Sequence, residues 1–87
     1  MTLYRIFMIV QEHKRGGKIV DVDRKEKFVV DNLDHAREVY ADMLNEFNCW
    51  GMYSKYFGHV SLIIPKIHTN GDVGYWGEEI EIYKKEQ

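Results

Sequence analysis

One segment, Asn32 to Asn48 (NLDHAREVYADMLNEFN), carries a sustained helical period and constrains the rest of the chain. Leu33, Ala36, Tyr40, Met43, Leu44 and Phe47 recur at steps of three or four, with Val39 at the edge. That spacing lines one stripe of a 3.6-residue helix. Asn32 is placed as the N-cap, where its side-chain oxygen can accept from a free amide one turn in. Asp34 follows in the first turn, where the helix dipole favours a carboxylate. Cys49-Trp50-Gly51 is expected to end the helix, with Gly51 as a left-handed residue just past it. A lone amphipathic helix must bury its stripe against something. The remaining pattern is strand-like, so a sheet is the natural partner.

Leu3 to Gln11 alternates: Tyr4, Ile6, Met8 and Val10 face one way, and Leu3, Phe7 and Ile9, with Arg5 among them, face the other. Apolar residues on both faces predict a central strand, or an outer face that is also covered. One helix covers only one face, so a homodimer is a possible cover for the second. His13 to Gly17 reads as a turn. Lys18 to Asp23 and Lys27 to Val30 read as one long bent strand or as two short ones broken at Arg24-Lys25-Glu26. Trp50 to Phe57 is open between strand, turn and loop. His59 to Pro65 is a strand that Pro65 should end or place at an edge. Asn70-Gly71 closes a hairpin. Val73 to Lys84 is the last strand, with Trp76, Ile80 and Ile82 on one face and Tyr75, Glu79, Glu81 and Tyr83 on the other. Gly74 and Gly77 predict a bulge or bend within it, and Lys85 to Gln87 are expected to fray. The expected fold is a single α+β domain over residues 1–87, in the order β-β-α-β-β, with an antiparallel sheet of about four strands packed on one helix.

Composition serves mainly to exclude. Hydrophobic residues make up 45% of the chain and charged ones 30%, which fits a folded protein rather than a disordered one. A net charge of −2 supplies no global attraction to nucleic acid or to an anionic membrane. The single cysteine rules out an intrachain disulfide and a multi-cysteine zinc site. Cys49 reads as a small buried hydrophobe rather than a nucleophile. His13, His35, His59 and His68 show no HxH or HxxxH spacing, so neither a metal site nor a cofactor is expected. Asp21 and Asp23 lack the glycine and terminal glutamate of a calcium loop. Ser54 and Ser61 have no nucleophile elbow, and Gly16-Gly17 does not follow the Walker pattern. No residue stands out as the centre of an enzyme. The basic start of a signal peptide is missing, and no stretch approaches the roughly 20 apolar residues of a membrane helix. A cytoplasmic protein without membrane contact is expected.

Two charged features point to partners. Asp34, Glu38, Asp42 and Glu46 lie four apart and form a slowly drifting acidic ridge on the helix. A solvated helix face carries the same pattern, and so does a surface kept acidic for a protein partner with a basic surface. Trp50, Tyr53 and Tyr56 follow it and are candidate aromatic anchors. Opposite in sign, Lys14, Arg15, Lys18, Arg24, Lys25 and Lys27 form a mildly basic stretch, the candidate contact for nucleic acid if the chain binds any.

The layout of YRIFMIVQEHKRGGKI, then KFVVDNLDHAREVYADML, then a hairpin closed at Asn70-Gly71 resembles that of many small phage-encoded proteins, among them anti-CRISPR-type inhibitors. The likeness covers most of the chain as architecture, and no functional motif matches, so no residue role carries over. It implies a compact, non-catalytic protein of the host cytoplasm that presents carboxylates to a nucleic-acid-handling surface. The chain departs from the strongly acidic members in its net charge of −2. Mimicry would then be local to the helix ridge. The alternative expectation is a small homodimeric domain that binds a small ligand, or nucleic acid through Lys14 to Lys27.

Overall fold

The computed structural model describes residues 1–86, the side chain of Tyr75 excepted. The expectations for Gln87 and for the face of Tyr75 lie outside the described residues. The elements are β1 (Leu3–His13), β2 (Ile19–Val30), α1 (Leu33–Gly51), β3 (Tyr56–Ile67) and β4 (Val73–Lys85). They form the expected α+β fold. All pairings are antiparallel and the strand order is β2-β1-β3-β4. β1 is central because α1 carries the chain from β2 on one side of it to β3 on the other.

Each turn has a local cause. Between β1 and β2 the Lys14 amide donates to the Lys18 carbonyl at 2.6 Å, and Gly16 and Gly17 take positive φ. Residues 18–31 resolve into one long strand and a connecting turn. The expected bend in β2 is a register shift beside Val10 and Gln11, which pair with Asp23 and Asp21 and leave Val22 as the extra residue. Asp31 turns the chain into the helix at φ 56, and its carboxylate accepts from the Thr2 amide at 2.6 Å. Asn32 caps α1 as expected, with Oδ1 accepting from the His35 amide at 2.9 Å.

The end of α1 differs from expectation. Gly51 is the last helical residue, and the cap is Met52 with right-handed dihedrals. A left-handed glycine is not needed, because Lys85 supplies donors from a distant strand. Its Nζ donates to the carbonyls of Gly51 at 2.8 Å and Tyr53 at 3.0 Å. Carbonyls orphaned at a helix end need such a partner. The same bonds fix Lys85 within β4, where fraying was expected.

Ala36, Tyr40, Met43 and Phe47 from α1 pack on Ile6, Met8, Val10, Val29, Val60 and Leu62. This is the stripe read from the sequence, laid on the alternate residues of β1 and β3. Gly58 allows β1 and β3 to approach here: at φ +147 a Cβ would lie 2.0 Å from the Ile9 carbonyl oxygen. In β4, Ile80 packs against this helix-side core, whereas Ile82 pairs with Ser61 on the far face. The expected shared face for Trp76, Ile80 and Ile82 therefore breaks. Its cause is a register shift between Leu62 and Ile63, which reverses the alternation along β4.

Part of the second sheet face is covered by the chain itself, although Phe28 and Val30 on it stay about half exposed. β3 pairs with β1 only as far as Ile63, then runs on through Pro65 to Ile67 with β4 alone. Pro65 thus does not end the strand. It lies where β3 has become an edge beside a second register shift, so its missing N–H costs no ladder bond. This β3–β4 arm curls back over the second face, and Gly77 permits it, since a Cβ there would lie 2.0 Å from the Ile64 carbonyl oxygen. Beneath the arm Arg5 is only 4% exposed. Its guanidinium pairs with the Glu26 carboxylate of β2, donates to the Gly74 carbonyl of the arm at 3.3 Å, and lies 5.1 Å from the centre of the Phe7 ring. Ser61 and Ile63 are buried on the same side. Covering these residues does not require a second copy.

Glu26→Ala removes the carboxylate partner of a buried guanidinium and is expected to cost about 3 kcal/mol, while Arg5→Met, which removes the buried charge itself, costs less. Urea unfolding of both variants checks the ranking. An equal or reversed order would show that the ion pair does not hold the arm.

Candidate functional site

The acidic ridge does not form one face. A four-residue step overshoots a helical turn by about 40°, so about 120° separates Asp34 from Glu46. Asp34 and Glu38 stand in solvent, with 78% of the Glu38 side chain exposed and His35 Nδ1 at 3.5 Å from its carboxylate. Asp42 and Glu46 turn towards β2, where they flank a narrow groove of about 60 Å³ with Lys25 and Lys27. Both Glu46 oxygens take the Lys25 ammonium, at 2.6 and 2.7 Å. This hydrogen bond holds the Lys25 ammonium above its ordinary pKa. The two charge features read from the sequence therefore meet within the molecule, and Glu46 is already occupied.

The basic stretch is likewise divided. Lys14 pairs with Glu12 at 2.8 Å, Arg24 lies 3.9 Å from Asp21, and Lys25 is taken by Glu46. Lys25 and Lys27 face α1, Arg24 lies over the Phe7 ring on the other face, and Arg15 and Lys18 sit at the hairpin tip. The structure does not bring the six together as one surface.

The three aromatic candidates do converge. Trp50 and Tyr56 meet edge to face with centroids 4.9 Å apart, and Tyr53 meets Tyr56 at 6.1 Å. Lys55 Nζ lies 4.9 Å from the centre of the Tyr56 ring. Two side chains of this lobe project outward: Tyr53 is 61% exposed and Met52 81%. Met52 was not singled out from the sequence. Its position one residue past the helix, among aromatics, was the available signal. Phe57 belongs elsewhere, stacked on His13 at 4.9 Å. Cys49 is exposed, against the expectation of a buried hydrophobe, with Sγ 3.4 Å from the Asn45 carbonyl. Two residues past the buried Phe47, it falls about 200° around the axis and so points to solvent.

The opposite sheet face carries a half-buried histidine between two aromatic rings. His59 lies between the rings of Phe7, at 5.7 Å, and Trp76, at 5.9 Å. Its Nε2 is sealed and has no hydrogen-bond partner among the described residues. Burial, reinforced by the charge of Lys84, holds its pKa below the ordinary 6.5. Beside it an open cleft of about 320 Å³ is lined by Gln11, His13, His59, Lys84 and Glu86, among others. Among the described residues, no three His, Cys, Asp or Glu side chains are grouped to hold a metal ion, and no helix is long and apolar enough to cross a membrane.

No protein family matches the chain, and no curated protein or solved structure is similar enough to match it. The functional reading therefore rests on this geometry.

The depressed pKa of His59 has a signed consequence for stability. On acidification the unfolded chain takes up this proton first, near pH 6.5, while the folded ring resists it. The stability from His59 is thus present above pH 6.5 and is lost as pH falls through the lower folded value. Urea midpoints across this range should fall less in His59→Gln than in the parent protein. Parallel curves would contradict a ring buried in its neutral form.

Proposed function

We propose that the chain is a non-catalytic binding protein, an inhibitor or adaptor that docks the outer side of α1 and the adjoining aromatic lobe on a basic protein surface. The observation that carries this reading is the lobe itself. Met52 and Tyr53 project beside Trp50 and Tyr56 at the end of a helix whose outer residues Asp34, Arg37, Glu38, Ala41 and Asn45 are exposed. Such large side chains, exposed together on a rigid frame, have the chemistry of interface anchors. Asp34 and Asp42 have no ion pair among the described residues, and Glu38 has only His35. These carboxylates would meet Lys and Arg side chains through charge-assisted hydrogen bonds and speed the encounter. Glu46 drops out of the docking set because Lys25 holds it. The architectural resemblance to phage-encoded inhibitors agrees with a partner that handles nucleic acid.

The test is capture of partners from host lysate by the tagged protein, at low and high salt and after nuclease treatment. A nuclease-resistant, salt-sensitive protein partner is expected. Asp34→Asn, Glu38→Gln and Asp42→Asn together should weaken its binding and flatten the salt dependence, while Glu46→Gln leaves both unchanged. Met52→Ser with Tyr53→Ser should weaken binding about thirtyfold, the scale of a lost anchor. Unchanged binding in both combined variants would refute the reading. Capture that vanishes with nuclease would favour nucleic acid at Lys14 to Lys27 instead.

A further inference from the structure

We propose that the cleft at the ends of β1, β3 and β4, on the sheet face away from the helix, binds a small anion bearing a carboxylate or phosphate group. This site is independent of the helix surface described above. Its basis is the strand register. Ile9 pairs with Arg24 on one side and with His59 on the other, and His59 pairs with Lys84. One cross-sheet row therefore reads Arg24, Ile9, His59, Lys84, with basic side chains on three of its four positions. Lys84 stands directly opposite His59, with Cβ atoms of such a pair about 5 Å apart. Lys84 has no ion pair among the described residues. Lys85 also lines the cleft, but its ammonium is spent on the carbonyls at the end of α1.

His59 adds a directed donor. A proton on its sealed Nε2 would be a buried N–H without an acceptor, which is costly. The neutral ring therefore carries its proton on Nδ1, the nitrogen that is not sealed. That N–H and the Lys84 ammonium stand on adjacent strands at one cleft, and an anion between them satisfies both. The charged and titratable groups around the ring are Lys84 and Glu86 at the end of β4, His13 on β1 and Arg24 on β2. Glu86 is the one carboxylate among the lining residues, and its charge opposes that of Lys84. A volume of about 320 Å³ suits a small anion.

The experiment is an NMR titration of the whole protein with inorganic phosphate and, separately, with succinate, against sodium chloride at matched ionic strength. Saturable shifts at His59 and Lys84 are expected, together with a rise in the His59 pKa on binding. Saturation by phosphate alone, by succinate alone or by both supports the site and identifies the group it takes. Lys84→Ala should weaken saturation about tenfold, the loss of one charge-assisted bond. Lys66→Ala, a change at an exposed lysine on the arm, should leave it unchanged. Shifts no larger than those in chloride, an affinity unchanged by Lys84→Ala, or a neutral His59 protonated on Nε2 would each overturn the proposal. The same spectra report whether Lys84→Ala is folded.

Discussion

The guanidinium of Arg5 is the contact on which the second face of the sheet depends. A buried charge is tolerated only when it is paired and hydrogen-bonded. Arg5 meets that condition by reaching from the central strand to both edge strands, to the Glu26 carboxylate on β2 and the Gly74 carbonyl on β4. With the arm held there, Trp76 comes to rest near His59, a residue whose strand partner on β4 is Lys84. Only a strongly curled sheet brings those two rings together. The domain therefore covers one face with a helix and part of the other with its own hairpin. A sheet this small has little apolar surface to spare, and curling lets the same strands serve as both layer and lid.

Long-range polar contacts do similar work at the other end. Lys85 closes the carbonyl end of α1 from β4, and Lys25 holds Glu46 from β2. The helix is thus tied to both edge strands by lysines, although its apolar stripe rests mainly on the central pair. These ties explain why α1 continues through Gly51 without a left-handed cap. They also explain why the lobe of Trp50, Tyr53 and Tyr56 has a defined position, since Lys85 bonds the Tyr53 carbonyl directly.

What was legible in the sequence was what local chemistry decides. The helical stripe, the Asn32 cap, the Asn70-Gly71 hairpin and the central place of β1 all follow from periodicity or from the needs of a few neighbouring residues. What was not legible depends on residues far apart in the chain. Pro65 leaves a strand end and an edge position both open, and only the pairing, in which β3 outruns β1, selects the edge. Ile80 was assigned to the face of Ile82 because strict alternation holds only up to a bulge, and the bulge arises from pairing with β3. The acidic ridge was visible, but the fate of its last carboxylate was not, since that needs Lys25 beside it. Among the aromatic candidates, Trp50, Tyr53 and Tyr56 converge because the chain turns sharply between α1 and β3. Phe57, one residue later on the alternating strand, points to the other face and joins His13.

The distribution of charge matters more here than its sum. A net charge of −2 suggests an electrostatically bland molecule. The fold instead separates the signs. Asp34 and Glu38 lie on the open side of the helix and Asp42 at its β2 flank, while Arg24, His59 and Lys84 form a row on the opposite sheet face. Where acidic and basic elements touch, between α1 and β2, the charges neutralise each other, so that flank has little field to offer. On the sheet face Arg5 and Arg24 are paired with Glu26 and Asp21, while Lys84 has no ion pair among the described residues. Under the two proposals above, a basic surface would meet the helix and a small anion the sheet. The two face opposite ways on a thin domain, so occupation of one leaves the other sterically open.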